Sequence, residues 1–560
     1  MLFNNKIKGS LTFYKTLYSP LFSKVFGFSF FLRKNSYLSR KPYYITTPIF
    51  YVNSDPHIGH LYTLVLADVI QRYQQLKNRQ VILRIGTDEH GMKIQKAALK
   101  SGLSPLLFCE KASYRFKHLA KLANVNYKDF TRTTDAKHCE GVRYFWKILQ
   151  NKGYIYQSKH EGWYSISDET FYPSTAVRTV QNSKDGTSST ISIETGSVVE
   201  WMSENNYHFR LSSLKDQLLD HYNKNPNFVV PSFQQNSIYK MICEGLSDIS
   251  ISRLSSRYSW GIRVPGDESQ TIYVWFDALL SYITNAGYPW SGSVFGEWPA
   301  DVHLIGKDIL RFHCILWPAL LIAVGLPLPY QIVSHSHWTV NNVKMSKSLG
   351  NIVDPFLEIE KYGIDVLRYF LIRHGRFDDD KDYNSSDVLK SYDLDLRGQL
   401  GNLLLRISSP CFNLSRAILH AKNHINENTL FQDFDTKLNT ISEKVDYHMN
   451  VFQAHIALEV IFDFIASINK FFQNSEPWKY KHDPLKVDPI IFRSLEAMRI
   501  SGILLKPFMP SKADEMLNQL GVEIPKRNFK FCKLGADDTY LKTQCTQNKQ
   551  LFPKLHVKYE

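Results

Sequence analysis

The chain has 560 residues, with 67 Lys and Arg against 53 Asp and Glu, a formal charge of +14, and is 44% apolar and 14% aromatic. Such a length exceeds one ordinary core and predicts roughly two to four domains, while the apolar content excludes wholesale disorder. Seven cysteines, none in a C-x-x-C pair, exclude a disulfide scaffold and an ordinary zinc ribbon.

Residues 1–41 hold eight basic side chains (Lys6, Lys8, Lys15, Lys24, Arg33, Lys34, Arg40, Lys41) and no acid; the first carboxylate is Asp55. A Ser-rich, Phe- and Leu-containing, acid-free start reads as a mitochondrial transit peptide. A basic arm touching RNA is the alternative. Without this segment the net charge is +3 over 42–390 and +3 over 391–560, so most of the excess reads as an address.

The β-branched and aromatic run Tyr43–Tyr51 predicts a buried strand, and Asn53-Ser54-Asp55-Pro56 a turn. A long helix is expected from His57 and a second strand over Gln80–Gly86, which makes a βαβ unit and an α/β nucleotide-binding domain. The polar stretch Asn182–Ser189 interrupts β-like segments as an inserted, partly exposed hairpin region. Strand signals return at Thr271–Phe276 and Val302–Gly306. Cys314–Leu328, the longest apolar run, contains Pro318 and is too short to span a bilayer, so it reads as a buried helix and no membrane is expected. Beyond Ser386 strands fade, and Leu400–Ile407, His455–Phe472 and Phe492–Leu505 repeat at helical spacing, predicting a separate helical domain.

Two signatures carry the chemistry. His57-Ile58-Gly59-His60 lies at a strand-to-helix junction, where backbone N–H groups and the helix dipole favour a polyphosphate. Gly59 lets a flat base approach the backbone. Lys344-Met345-Ser346-Lys347-Ser348, about 280 residues later, offers ammonium and hydroxyl groups that can fold over the same phosphates. Alone, the His pair could be a surface or metal pair; the ordered combination is far rarer.

With these motifs the sequence resembles a class I aminoacyl-tRNA synthetase, His57–His60 matching its HIGH motif and Lys344–Ser348 its KMSKS loop. The stretches Thr47–Asn53, Gly86–Gly91, Tyr273–Ala278 and Ile305–Ile309 narrow the resemblance to the methionyl-tRNA synthetase family, of the mitochondrial kind. It extends from Lys41 to the late helical domain. The interval between the signatures is too short for the large editing insertion of the valyl, isoleucyl and leucyl enzymes.

This resemblance implies an α/β, Rossmann-like catalytic domain with an inserted connective region, followed by an α-helical anticodon-binding domain. The expected divisions are a transit peptide (1–41), the first half of the catalytic domain (42–160), the insertion (161–235), the second half (236–335), a KMSKS and stem-contact region (336–388) and the anticodon-binding domain (389–560). The implied reaction is ATP-dependent ligation of methionine to tRNA through an adenylate, in the mitochondrial matrix, with Mg²⁺ accompanying ATP. No step needs a protein nucleophile, so positioning and charge stabilisation suffice. His57, His60, Lys344 and Lys347 are the expected catalytic residues, and Gly59, Ser346 and Arg253 join them in ATP binding. Ile49, Tyr51, Asp88, Trp275, Leu279, Tyr282 and His313 form the expected methionine pocket. Asp88 suits the substrate ammonium, and the aromatic side chains suit a thioether.

Asn402 and Arg406, four apart on a helix, with Trp478 after Pro477, match the family's readers of a CAU anticodon. The last forty residues carry eight basic and four acidic side chains, suited to RNA phosphates or to a solvated surface. One departure stands out. Gly162–Tyr172, where many members carry a zinc knuckle, has no cysteine, so zinc is not expected and Trp163 and Phe171 would support that hairpin by packing. A monomer is expected. A cysteinyl enzyme would lack its zinc–thiolate site, and intact His57, His60 and Lys347 argue against a non-catalytic RNA-binding relative.

Overall fold

The computed structural model describes residues 41–166, 170–181, 188–292, 295–345, 350–419, 431–540 and 550–555. The expected transit segment up to Arg40 lies outside the described residues, as do Ser346, Lys347 and Ser348.

Seven strands form one parallel sheet: β1 (Tyr43–Thr46), β2 (Phe50–Tyr51), β3 (Val81–Asp88), β4 (Asp129–Arg132), β5 (Val229–Val230), β6 (Val302–Gly306) and β7 (Gln331–His335). Their order is β5-β7-β6-β1-β3, with β2 and β4 also paired to β3. The expected single strand Tyr43–Tyr51 is in fact two, because Thr47-Pro48-Ile49 interrupts the ladder and Pro48 has no N–H to give it.

Side-chain alternation sends neighbouring residues to opposite faces. Ile45, Leu304 and Val333 enter one core, and Tyr44, Ile305 and Ile332 the other. The first is covered by α1 (Ile58–Leu76) and runs on into the helical region. The second is covered by α2 (Ala136–Asn151) and α3 (Val274–Thr284). A sheet buried on both faces is the doubly wound arrangement that the opening βαβ unit predicts.

Two segments differ from expectation. Of the predicted Thr271–Phe276 strand only Thr271 and Ile272 are extended, closing the strand Asp267–Ile272, and Val274 opens α3. Nearly every residue of α3 is buried, so no polar face reveals its helical period. The buried helix expected over Cys314–Leu328 is a π turn, Phe312–Leu316, running into an α-helix, Trp317–Val324, that Gly325 ends in the left-handed region. Pro318 cannot donate to the Cys314 carbonyl one turn back, and that oxygen accepts instead from Tyr222 Oη at 2.8 Å.

The insertion is antiparallel. Ile155–Ser165 pairs with Glu200–Phe209 and with Thr170–Tyr172, and the hairpin Val177–Gln181 with Ser188–Ser192 lies beyond. Within the range expected for the insertion, β5 nevertheless belongs to the central sheet. Trp163 meets Trp201 edge-on across the strands, and Phe171 packs on Tyr164 at 4.8 Å, so aromatic pairs do bridge this hairpin.

Helices dominate after Ser385, including Gln432–Asn450, Ala454–Ser475 and Pro484–Leu505. The far end of α1 is tied to this region: Tyr73 Oη and Lys77 Nζ both reach Asp446 Oδ1 at 2.6 Å.

Candidate active site

At the start of α1, His57 is the N-cap, with extended backbone. Its Nδ1 accepts from Gly59 N–H, and His60 Nδ1 accepts from His57 N–H, both at 3.1 Å. A ring nitrogen that accepts carries no proton, so each neutral imidazole bears its proton on Nε2. Burial, with His337 and Lys344 nearby, lowers His57 to about 4. Burial and then His57 hold His60 well below the usual imidazole range. The two rings lie 3.9 Å apart at a 36° tilt, and Phe50 and Phe116 meet His60 edge-on. Two uncharged N–H donors thus stand at the positive end of a long helix, an arrangement suited to phosphate oxygens.

The second signature is held beside them. Val343–Lys344 pairs with Trp338–Val340, Met345 is buried, and Lys344 is exposed. Asn351 Nδ2 donates to the Lys344 carbonyl at 3.1 Å, and Ile58 N–H donates to Val353 O at 3.2 Å, so the stem of the loop is fastened to the first motif. Lys344 pairs with Asp308, whose Oδ1 also lies 2.9 Å from His337 Nε2. Burial alone would raise the Asp308 carboxyl; His337 and Lys344 outweigh it and hold the group below the carboxylate range. Asp308 lies inside the conspicuous Ile305–Ile309 stretch, yet its pairing with His337 and Lys344 joins residues about 30 positions apart, which no local pattern signals.

A second group gathers next to this one. Parallel register sets Tyr51 opposite Asp88 at the end of β3, and Asp88 is buried. Trp275, Leu279 and Tyr282 share one face of α3. Trp275 stacks on Phe312 at 3.9 Å and meets His313 edge-on. His313 Nδ1 donates to Ile309 O at 2.9 Å, leaving Nε2 to accept from Tyr282 Oη at 2.7 Å. Burial lowers His313 to about 4, consistent with a neutral acceptor. Ile49 and Tyr282 line a common small pocket with Thr46, Thr47 and Arg84.

Arg253 lies against the insertion. It is buried, donates through Nη1 to Ser250 and Ser252, and is ringed by Tyr273, Phe171 and Tyr164 at 4.5, 5.1 and 5.5 Å. Such a cation–π cage ties the inserted hairpin to the strand Ser252–Leu254. In the helical region Asn402 is exposed, and Arg406 and Trp478 both pack on Phe472, with the Trp478 ring 38% exposed. Arg406 also donates to Gln473 at 2.8 Å. Arg406 and Trp478 thus meet at Phe472, and Asn402 stands about one helical turn before Arg406.

Comparison with known proteins agrees with this geometry. Residues 43–408 match the family model described as tRNA synthetases class I (M), and 420–533 match the anticodon binding domain of methionyl tRNA ligase. A Neurospora crassa protein named "Probable methionine--tRNA ligase, mitochondrial" is 46% identical over 518 residues, covering 89% of this chain and 83% of that one. The mitochondrial methionine--tRNA ligase of Candida albicans is 40% identical, covering 90% and 94%. Among solved structures, Mycobacterium tuberculosis methionyl-tRNA synthetase in complex with methionyl-adenylate superposes with a TM-score of 0.82 at 35% identity, covering 92% of this chain and 100% of that one.

Proposed function

The chain belongs to the methionyl-tRNA synthetase family of class I enzymes and is a methionine–tRNA ligase, and from that premise we propose that it charges tRNA(Met) through a methionyl-adenylate for translation in the mitochondrial matrix. The observation that carries the reading is the pair of Nε2–H donors at the α1 N-terminus, beside the stem of the lysine loop.

In the first step the methionine carboxylate oxygen bonds to the α-phosphorus of ATP and pyrophosphate leaves. His57 and His60 donate hydrogen bonds to the phosphate oxygens as charge builds there, with Lys347 on the β- and γ-phosphates and Lys344 in support. Ser346, Gly59 and Arg253 complete the proposed ATP contacts. Preorganised N–H donors in a dry site cost little reorganisation when the charge appears. Mg²⁺ travels with the nucleotide: it is ordinarily held by phosphate oxygens, water and few carboxylates, and Asp308 is already paired with Lys344 and His337.

Asp88 takes the substrate ammonium, while Ile49, Tyr51, Trp275, Leu279, Tyr282 and His313 surround the thioether. In the second step a terminal ribose hydroxyl of the tRNA attacks the adenylate carbonyl and AMP leaves. Asn402, Arg406 and Trp478 read the CAU anticodon, and the protein works as a monomer with residues 1–41 removed on import. The six-part division of the chain given above is part of this proposal, except that Val229–Val230 falls to the catalytic sheet.

ATP–pyrophosphate exchange by protein beginning near Lys41 tests the reading. Exchange should require methionine. Absence of methionine-dependent exchange, or equal exchange with cysteine, would overturn it.

A further inference from the structure

Behind the proposed methionine pocket lies a buried cluster that the reaction above does not use. Asp277, on α3, is 1% exposed. Its Oδ2 meets His90 Nδ1 and its Oδ1 meets His138 Nε2, each at 2.6 Å. The other His138 nitrogen bonds Thr284 Oγ1 at 2.8 Å. Burial alone would raise the Asp277 carboxyl, but the two imidazoles, His90 foremost, bring it down to about 2.

Helical geometry divides the labour of α3. At about 100° per residue, Trp275, Leu279 and Tyr282 fall on one face, whereas Asp277 and Thr284 share a face about half a turn away. The front of the helix therefore carries the thioether residues while its back is gripped. The grip on α2 is close: a Cβ on Gly141 would stand 2.5 Å from Thr284 Cγ2, so only glycine lets His138 reach both Asp277 and Thr284 from the same helix face.

The other imidazole belongs to the segment that follows Asp88. His90 N–H points at Asp88 Oδ1 from 3.4 Å. Glu89 is clamped by Arg132 at 2.7 and 2.8 Å and by Thr134 at 2.6 Å. Trp260 Nε1 donates to Glu89 O at 2.6 Å, and Gly91 N–H donates to Trp260 O at 3.1 Å. This segment is thus braced by its own hydrogen bonds. The His90–Asp277 bond is its direct tether to the helix bearing the thioether residues.

We propose that Asp277, held between His90 and His138, is a positioning residue that fixes the separation between the Asp88 carboxylate and the Trp275–Leu279–Tyr282 face, and so selects ligands that span both. This rests on the methionine site proposed above. A ligand engaging both ends needs the correct separation, because a misplacement of about 1 Å is costly once two contacts are demanded together. A ligand engaging only the thioether face does not.

The test uses Asp277→Asn, which keeps the shape and removes the charge, with His138→Ala and His138→Gln as a second pair. In methionine-dependent exchange, Asp277→Asn should raise KM for methionine about tenfold while KM for ATP stays within about twofold. Inhibition by methioninol, which keeps the ammonium, should weaken in parallel, and inhibition by 4-(methylthio)butanoate, which lacks it, should not change. His138→Ala should show the same pattern, and His138→Gln, whose side-chain amide can replace Nε2, should recover much of it. An unchanged methionine KM, a matching rise in the ATP KM, or equal weakening of the ligand without an ammonium would each overturn the proposal. If Asp277→Asn does not fold, the His138 pair decides alone. Wild-type protein without methionine-dependent exchange would instead refute the functional reading itself.

Discussion

His57 and His60 show what a motif leaves open at the scale of single residues. Their spacing at a helix start points to phosphate handling, but not to whether the rings act as cations or as neutral donors. The two Nδ1 atoms accept from the backbone and burial keeps both rings unprotonated, so they serve as aimed N–H groups. Gly59 is part of that aim: a Cβ there would lie 2.8 Å from His57 Cε1. The expected role for this glycine was backbone access for a base; its visible role is to let the imidazole fold back over it. Because the ring can swing away, Gly59→Ala should cost little stability and mostly misdirect Nε2. Exchange kcat is expected to fall about tenfold, roughly 1.4 kcal/mol of transition-state stabilisation, with the melting temperature nearly unchanged. Wild-type kcat would show that His57 orientation is immaterial.

At the scale of elements, the chain's local signals were good where one face is polar and poor where none is. Helix α3 is buried nearly all round and its β-branched, aromatic start imitates a strand, so the sequence places Trp275 on a strand whereas it stands on a helix. Within the Phe312–Leu316 π turn, the Cys314 carbonyl accepts from Tyr222 Oη, a partner 92 residues away that no local pattern reveals. In the helical region, Asn402 and Arg406 begin and nearly end the short helix Asn402–Ile407, and Phe472 joins Arg406 to Trp478. On the proposed tRNA reading, this partly exposed indole would stack an unpaired base, an interaction worth about 1–3 kcal/mol. Trp478→Ala should therefore raise KM for tRNA by about tenfold or more while leaving methionine-dependent exchange intact. Normal charging kinetics would make this tryptophan a packing residue.

At the scale of the whole molecule, α1 joins the two halves. Its first turn carries the histidines, its middle holds Asp68 against the fully buried Arg368 at 2.7 Å, and its last turn meets Asp446. Arg368 also donates to the carbonyls of Ala123, Pro507 and Phe508, so one guanidinium links the catalytic and helical parts. Stability should depend on pH through the buried imidazoles. His57, His313, His335 and His374 are all held down to about 4, burial being the largest cause in each. As pH falls below about 6.5 the unfolded chain takes up protons that the folded chain refuses. These rings leave stability intact above about pH 6.5 and erode it progressively down to about pH 4. Asp277 and Asp308, with depressed carboxyls, add their loss only below about pH 4. The urea midpoint should accordingly drop between about pH 7 and pH 5; a flat midpoint would mean that these rings titrate normally when folded.

Charge alone, at +14, suggested nucleic acid, yet the balance beyond residue 41 is nearly even and the tRNA reading rests on particular side chains. The sequence by itself determined the fold class and the family, because these depend on local periodicity and on motifs of residues close together in the chain. Only the tertiary structure decided the proton positions on His57 and His60, the pairing of Lys344 with Asp308 and the grip of His90 and His138 on Asp277. The reason is physical. Those properties arise from burial and from hydrogen bonds between residues tens to hundreds of positions apart, and no local pattern encodes which distant donor will meet which acceptor.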